Sequence, residues 1–481
     1  MSSSVKVNYL YSIANTFIGL LFPLVTFPYV SRVLEPVGLG LYNFLNSIIS
    51  YVTLFAGLGI SLYATRKIAQ HRDSLVERSK LTVEVFLLNV VTTFIAYSAV
   101  LILDLCVPRI SEHRELFYVM SIGIILGPLS VNWFFQGVED FKYITIRSLF
   151  VKCLSFVLLL TCVREKDDVI IYAIVSVIAS VGNNLFNVIH LRKYISLRCF
   201  DWRTLRIWKH LKPSLVLFLL NIIISIYVNL DSAMLGFIKD DAAVGYYSIA
   251  GKLSHITLSM ITTLGVVLLP RFSYLIKQNK IDEFNVLARK SMDFTIGICL
   301  PIVAGFVMLA HLIVVTLFGE QYLDSILTLQ IISPIILFAS LTNVLGIQIL
   351  YPKGKENIVI LSTLGAALVN FTLNWFLIPI YSQNGAAFST AIAEVIVFVV
   401  QMTLGAKYFP KKMYSKNIFD YFIGTTIMIC AIFALLSFDF NAILQLLFAI
   451  ILGIVIYSLY LYYRKNPLMI SITSSLRQKF K

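Results

Sequence analysis

The sequence predicts an all-α polytopic membrane protein with about fourteen transmembrane helices. Three observations predict this class: 58% of the 481 residues are hydrophobic, only 13% are charged, and the mean hydropathy is +0.85. Soluble proteins carry about 25% charged residues, so these charges are too few to cover a soluble surface. The net charge of +14 lies in short loops between apolar runs, which favours anionic lipid headgroups over nucleic acid as the partner.

Fourteen apolar runs are long enough to be membrane spans, since about 20 helical residues cross the hydrocarbon of a bilayer. In chain order they are residues 9–30, 41–64, 81–103, 117–135, 144–163, 169–189, 213–235, 244–269, 292–317, 326–350, 358–379, 385–406, 418–438 and 442–463. No AxA-like cleavage site follows the first run, so we expect it to be retained as a span.

The distribution of basic residues predicts the orientation of these spans. With the N-terminus in the cytoplasm, most Lys and Arg residues fall on the cytoplasmic side. The outer side then holds six: Arg32, Arg109, Arg114, Arg164, Lys166 and Lys239. Because short cytoplasmic loops are enriched in positive charge, both termini are predicted to be cytoplasmic. All the outer loops are short, which disfavours an extracytoplasmic enzyme.

A weak internal repeat divides the chain. Gly40 in the segment GLY aligns with Gly245 in the segment GYY at an offset of 205 residues, and Arg66 aligns with Arg271 at the same offset. Matches at equivalent topological positions predict two six-span halves, residues 1–206 and 207–412, followed by two further spans and a cytoplasmic tail in residues 413–481. Six is an even number, so the halves share one orientation, as in transporters built from parallel repeats.

Ionisable residues inside the apolar runs are candidates for function, because inserting such a group costs at least about 2.5–3.5 kcal/mol. They are Glu84, Lys152, Asp231, Lys252, His255, Asp293, His311 and Glu394. Arg32 and Asp231 lie near the matching outer ends of spans one and seven, which makes them candidates for a gate pair. Simpler interpretations stay open: a neighbouring helix can satisfy Glu84, and Asp293 lies close to a boundary.

Motifs for covalent chemistry are missing from the sequence. It contains no GxxxxGK[ST], HExxH or GxSxG motif, and its six cysteines are scattered without the spacing of metal ligands. The sequence therefore predicts a protein that is not an enzyme and has no cofactor or bound metal. Energy for transport would come from an ion gradient, the membrane potential or mass action.

Several segments, in order along nearly the whole chain, carry a resemblance to a known family. They are FPLVTFPYVSRVLEPVGLGLYNFLNSIISY, GISLYATRKIAQHRD, NWFFQGVEDFKYITIRSLFVK, LDSAMLGFIKDDAAVGYYSIAGKL, LLPRFSYL and NWFLIPIYSQNGAAFSTAIAEV. Together they resemble Wzx-type flippases of O-antigen and polysaccharide repeat units, members of the multidrug/oligosaccharidyl-lipid/polysaccharide (MOP) exporter superfamily. The resemblance implies two six-helix lobes in a V around a central cavity, with helices 13 and 14 added.

The same resemblance implies an activity: translocation of undecaprenyl-diphosphate-linked repeat units from the cytoplasmic to the outer leaflet of the bacterial inner membrane by alternating access. A diphosphate crossing lipid needs a hydrated cationic path. Candidates for lining that path are Arg32, Arg66, Arg147, Lys152, Lys252 and Arg271. Candidates for gating or for coupling to a proton or sodium ion are Asp231, Glu84 and Glu394.

The first span supplies a candidate hinge. Pro23 and Pro28 interrupt the helical hydrogen-bond ladder, so the span is predicted to bend there during alternating access. Arg32 would then face the cavity and offer a forked donor to phosphate or sugar. In the competing interpretation, Arg32 extends to the outer headgroups. Arg66 and Arg271 have a similar alternative as ordinary positive-inside residues.

Other functions are weighed against this one. A drug/cation antiporter or a lipid II flippase of the same superfamily is the nearest alternative. A membrane glycosyltransferase or an O-antigen polymerase is disfavoured by the short outer loops and the lack of a nucleotide-sugar site. A purely structural scaffold is disfavoured by the duplication and the buried charges. The expected partners are the lipid-linked oligosaccharide, the bilayer and, for export, a polysaccharide polymerase and a chain-length regulator.

Overall fold

The computed structural model describes residues 5–410, 413, 417–438, 440–470 and 473, and these residues form helices and turns without a strand. The α-helices are α1 (Val5–Gly57), α2 (Ile60–Gln70), α3 (Leu75–Cys106), α4 (Pro108–Ser111), α5 (Arg114–Ile125), α6 (Asn132–Gly137), α7 (Phe141–Cys162), α8 (Val169–Leu191), α9 (Leu211–Ile238), α10 (Asp241–Lys277), α11 (Ile281–Phe318), α12 (Ser325–Ile332), α13 (Ile335–Asn343), α14 (Glu356–Leu404), α15 (Ile418–Leu436) and α16 (Ala442–Tyr463). A π-helical segment, Val344–Leu350, continues α13.

The helices correspond to the predicted spans. Within the described residues, ten helical segments are long and apolar enough to cross a membrane, and the bent pair Arg114–Ile125 and Gly127–Gly137 adds an eleventh. Helix α1 covers the first predicted span and most of the second, which ends in α2. Helix α14 covers the eleventh span and nearly all of the twelfth. Non-helical residues lie inside α1 at Glu35 and inside α14 at Ser382. Helix α9 covers the seventh span. All fourteen predicted spans therefore fall on helices, and the all-α membrane class is confirmed.

Several helices begin where the sequence provides a cap. Ser74 accepts a hydrogen bond from the backbone N–H of Glu77 at the start of α3, in the S-x-x-E arrangement of a capping box. Asp140 accepts from the N–H of Tyr143 at the start of α7. Such caps satisfy backbone donors that a helix leaves unpaired in its first turn. They place the ends of α3 and α7 at polar positions outside the apolar runs.

The chain forms two compact units, Met1–Gly245 (unit 1) and Tyr246–Lys481 (unit 2). Unit 1 has an aromatic cluster in its core, with Tyr63, Trp133, Phe134 and Phe135 all buried. The core of unit 2 includes residues of α10, α11, α15 and α16. The sequence-based boundaries at 206/207 and 412/413 remain a prediction.

Candidate functional site

The turn that joins the first two predicted spans lies at Glu35 and not at the two prolines before it. The backbone of α1 keeps helical angles at Pro23 and Pro28, and it leaves them at Glu35, where φ is 57° and ψ is 177°. Pro36 follows directly, and a residue before proline is disfavoured in the helical region. Positive φ in a glutamate costs roughly 1–3 kcal/mol, so the surrounding packing must hold this break in place. The hinge role of Pro23 and Pro28 remains a prediction.

Close backbone packing around that break involves the two glycines that the repeat aligns. A Cβ atom on Gly40 would lie 2.6 Å from the carbonyl carbon of Asp241, and one on Gly245 would lie 2.8 Å from the carbonyl carbon of Pro36. In both cases the neighbouring carbonyl oxygen would be closer still. The offset between Pro36 and Asp241 is 205 residues, the same as between the glycines. We call this pair of repeat-related approaches the glycine contact; it joins α1 to residues 241–245 of α10 within unit 1.

An arginine reinforces the glycine contact. Arg109 in α4 donates to the carboxylate of Asp241 at 2.8 Å and to the carbonyl of Lys239 at 3.4 Å. Its guanidinium also lies over the ring of Phe44, 5.2 Å from the centroid. One side chain thus connects the segment after α3 with α1 and with the junction of α9 and α10. By the predicted orientation, this cluster faces the outer side.

Arg147 is the most buried of the candidate cations, with 6% of its surface exposed. It donates to the side-chain oxygens of Asn183 (3.1 Å) and Asn132 (2.8 Å), and it lies over the ring of Tyr143 at 5.1 Å. Its Nη1 atom is buried and finds no hydrogen-bond partner within the described part of the chain. Arg147 therefore bridges α6, α7 and α8 inside unit 1 while keeping one unsatisfied donor.

Lys152 lies one turn further along α7 and is half-buried. Its ammonium is 3.8 Å from the position that a Cβ would occupy on Gly19. Pro23 has no N–H, so it cannot donate to the carbonyl four residues before it, which is that of Gly19. The structure therefore brings a cation to the part of α1 where the predicted hinge proline frees a backbone acceptor.

The other four candidate cations lie at exposed positions: Arg32 in α1, Arg66 in α2, and Lys252 and Arg271 in α10. Arg271 forms an exposed ion pair with Glu283 at 3.4 Å and lies over the ring of Tyr274. Exposed pairs of this kind contribute little to stability, so Arg271 stays available to other anions.

The candidate carboxylates occupy different environments. Asp231 in α9 is 3% exposed and interacts electrostatically with Tyr51 of α1. Glu394 in α14 is half-buried. Neither observation assigns a transported ion, and the pairing of Asp231 with Arg32 remains a prediction.

Glu84 is satisfied by a network that the sequence did not reveal. It is 1% exposed, pairs with the ammonium of Lys209 at 2.7 Å, accepts from Nε2 of His210 at 2.8 Å and accepts from the N–H of Arg206 at 2.8 Å. A carboxylate can only accept, so Nε2 of His210 must carry the ring proton. Nδ1 is then an acceptor, and it accepts a hydrogen bond from the hydroxyl of Tyr63 at 2.7 Å. The partner is therefore the connection before α9, and not a neighbouring transmembrane helix.

His210 is held neutral at the centre of this network. Burial lowers its pKa, and the Glu84 carboxylate offsets part of that effect. The network ties α2 and α3 to the segment that leads into α9, at the end of unit 1 predicted to face the cytoplasm. A lone histidine before an apolar run carries no sequence signal for this role.

More than half of the chain matches a described family. The match covers residues 5–276, and the family is described as "Polysaccharide biosynthesis protein". The protein described as "Putative O-antigen transporter" from Escherichia coli (strain K12) is 26% identical over 389 residues, covering 78% of this chain and 91% of that protein. The "Teichuronic acid biosynthesis protein TuaB" of Bacillus subtilis (strain 168) is 22% identical over 371 residues, covering 75% of this chain and 72% of that protein.

Solved structures share the fold. A structure described as "Lipid II flippase MurJ, inward closed conformation" superposes with a TM-score of 0.72 at 15% identity, covering 95% of this chain and 99% of that one. An inward-facing multidrug resistance MATE family transporter of the MOP superfamily superposes with a TM-score of 0.65 at 16% identity, covering 85% and 95%. At these identities the likeness concerns the fold alone.

Proposed function

The chain belongs to the polysaccharide biosynthesis protein family, and from that membership we propose that it is a flippase of the MOP superfamily. Its cargo is an undecaprenyl-diphosphate-linked repeat unit of O-antigen or another polysaccharide, moved from the cytoplasmic to the outer leaflet of the inner membrane by alternating access. The observation that carries this proposal is the similarity to a protein described as an O-antigen transporter over 78% of the chain. The expectation from the resemblance and the outcome of the comparisons agree.

The glycine contact supports alternating access. Two repeat-related helices meet backbone to backbone at the predicted outer side, where glycine permits an approach that any side chain would prevent. We assign it the role of an outer seal that separates to release cargo.

The candidate cations carry the second part of the proposal. Moving a diphosphate across hydrocarbon is prohibitive without compensating charge. We propose that five cations supply that charge in succession along the path: Arg32, Lys152, Lys252, Arg66 and Arg271. Lys152 is supported by its position beside Gly19 and Pro23, where α1 also offers a backbone acceptor.

Arg147 is proposed to act on cargo only through its one unsatisfied nitrogen. We propose that one of three carboxylates, Asp231, Glu84 or Glu394, couples transport to the movement of a proton or sodium ion. Asp231 is the strongest of the three, because it is a carboxylate buried inside a span. Glu84 has three partners that already satisfy its carboxylate.

We further propose the cellular setting. The chain lies in a bacterial inner membrane with both termini in the cytoplasm, as the positive-inside rule predicts. It carries out no covalent reaction, and it works beside a polysaccharide polymerase and a chain-length regulator that use the delivered repeat units. A drug/cation antiporter and a lipid II flippase are the alternatives within the same superfamily.

The test is the sidedness of lipid-linked repeat units in cells depleted of this protein. We expect the units to accumulate on the cytoplasmic leaflet, and the wild-type chain to restore export. Arg32→Ala is expected to restore it poorly, whereas Arg164→Ala, which removes an exposed cation of an outer loop, is the matched control. Normal delivery without the protein would refute the flippase proposal and make drug efflux the next assay. Normal delivery by Arg32→Ala would remove only the role of Arg32.

A further inference from the structure

Unit 1 contains a cavity of about 590 Å³ that the candidate cations do not line. Its walls come from α1, α5 and α8, with the start of α2 at one end. Along α1 it runs from Tyr42 to Gly57, a length of about 22 Å of helix. The volume lies in the range of sites for small molecules, about 300–1,000 Å³.

The lining of this cavity is mostly apolar, but it includes seven polar side chains and no charged one. Its polar side chains are Tyr42, Asn46, Ser50, Thr53, Ser61, Ser176 and Ser180. None of the lining residues, all of which are described, is Asp, Glu, Lys, Arg or His. We call it the hydroxyl-lined cavity. Sites for small molecules are usually lined by apolar surface with a few polar groups that fix the orientation of the ligand, and this lining has that composition.

The hydrogen bonds of the hydroxyls decide which occupant fits. Ser50 donates to the carbonyl of Asn46 at 2.7 Å, Thr53 donates to that of Ile49 at 2.8 Å, and Ser180 donates to that of Val177 at 3.0 Å. A hydroxyl has one proton and two lone pairs, so these three oxygens keep only acceptor capacity for a ligand. The wall therefore suits groups that donate, such as sugar hydroxyls, and offers these oxygens no proton for a phosphate.

Tyr42 adds an aromatic ring to this surface. Its ring contacts that of Tyr172, which does not line the cavity, with centroids 4.5 Å apart, and the Ser176 hydroxyl lies beside both phenols. A tyrosine presents a flat apolar body together with a polar edge. This combination matches a sugar ring, which has apolar C–H faces and a rim of hydroxyls.

Two glycines keep the cavity open. A Cβ on Gly57 or on Gly123 would meet no atom within 4 Å. Both residues line the cavity. Gly57 is the last residue of α1, whereas Gly123 lies inside α5, where glycine is disfavoured by about 1 kcal/mol relative to alanine. The presence of Gly123 is explained if the space beside it is used.

We propose that the hydroxyl-lined cavity is a carbohydrate subsite, which receives a sugar ring of the glycan while the cations handle the diphosphate. This inference rests on the flippase proposal and divides the cargo between two chemically different surfaces. Charge compensation and sugar recognition then lie in separate places, so the two can be altered independently.

Binding of two lipids to the purified protein in nanodiscs tests this division. The probes are lipid-linked oligosaccharide extracted from cells that lack this protein, and undecaprenyl diphosphate without sugar. Replacing two acceptors in the double variant Ser50→Ala, Thr53→Val removes two ligand hydrogen bonds, which predicts about a tenfold loss of affinity for the glycosylated lipid. Affinity for the sugar-free lipid is expected to stay unchanged.

A cavity-filling variant provides an independent test that keeps every hydroxyl. Gly123→Leu is expected to weaken the glycosylated lipid selectively, because its side chain enters open space. Gly365→Leu in α14 is the matched control, since a Cβ there also meets no atom within 4 Å. Thermal unfolding of each variant checks that it folds.

The outcomes separate the two proposals. Equal losses for both lipids, or no loss for either, would overturn the carbohydrate subsite and leave the cavity as a site for water. A wild-type protein that binds neither lipid would refute the flippase proposal itself. Selective loss of the glycosylated lipid in both cavity variants, with the control unchanged, supports the subsite.

Discussion

Replacing Gly40 by alanine should hold the outer seal open. The added Cβ would lie 2.6 Å from the carbonyl carbon of Asp241 and 2.7 Å from the amide nitrogen of Gly245, whereas ordinary contact begins at 3.4 Å. Both neighbours are backbone atoms, which cannot rotate away as a flexible side chain can. Overpacking of this kind costs about 1–3 kcal/mol. A cost near 2 kcal/mol shifts the equilibrium about thirtyfold away from the sealed state.

A cysteine at position 243 reports the state of the seal. Ala243 in α10 is 3% exposed, close to the glycine contact, so Ala243→Cys in a background without other cysteines should be protected from a membrane-impermeant thiol reagent added outside. Adding Gly40→Ala is expected to increase the labelling rate about thirtyfold, or to the limit set by full exposure. Gly245→Ala should act the same way, because its Cβ would meet the backbone of Pro36.

The control for this experiment is Gly365→Ala, which adds the same methyl group where no atom lies within 4 Å. It should leave the labelling rate unchanged. The reasoning would be refuted if Gly40→Ala were labelled as slowly as its parent while transport stayed normal. That result would show that the backbones of α1 and α10 can part without cost, or that they do not seal the outer side.

Three further predictions concern the charged clusters. Arg109→Lys keeps the charge but loses the forked guanidinium that reaches both Asp241 and the Lys239 carbonyl. The labelling rate of the cysteine at position 243 should therefore rise severalfold. An unchanged rate would show that the arginine is not needed to close the seal. Glu84→Gln should lower the free energy of unfolding by about 1.5–3 kcal/mol in a denaturation series. The control Glu283→Gln, which removes an exposed ion pair, should lower it by at most about 1 kcal/mol. Equal losses in the two variants would contradict the stabilising role of the Glu84 network. Arg147→Lys should reduce thermal stability, because an ammonium cannot bridge two asparagines in the same geometry. If transport were lost while thermal stability stayed unchanged, Arg147 would instead have a role in binding the cargo.

Hydropathy was sufficient to locate the helices, because a bilayer imposes one length on every span. All fourteen predicted spans fall on helices, including the pair that shares α1. The predicted spans place the turn between that pair within residues 31–40, and Glu35 lies there. The prolines at 23 and 28 draw attention in the sequence, yet the backbone breaks at Glu35, where Pro36 and the close approach of α10 act together.

The candidate site was predicted only in part. The apolar runs identify Glu84 as an ionisable residue inside a span, and Arg147 is a candidate cation of the fifth span. Their partners were not predicted, because those come from segments distant along the chain. His210 lacked any motif. The repeat did place Gly40 and Gly245 in register, so the signal for the glycine contact was present in the sequence. The role of these glycines could not be predicted, because the sequence does not show that the backbones of α1 and α10 meet there.

The hydroxyl-lined cavity shows the same limit. Serine and threonine in a membrane helix commonly bond to the helix's own carbonyls, so Ser50 and Thr53 carry no individual signal. Their function as a surface depends on α5 and α8 packing opposite them. A sequence reading therefore predicts that sugars are recognised without showing where.

The central claim is that this chain moves a lipid-linked repeat unit between leaflets. Proteoliposomes that contain the purified protein and extracted lipid-linked oligosaccharide test it most directly, with a membrane-impermeant lectin reporting the glycan on the outer surface. Lectin-accessible glycan should rise with time after the outer pool has been blocked, faster than in protein-free liposomes. An equal rate in the two preparations, under an imposed ion gradient and membrane potential as well as without them, would contradict the claim.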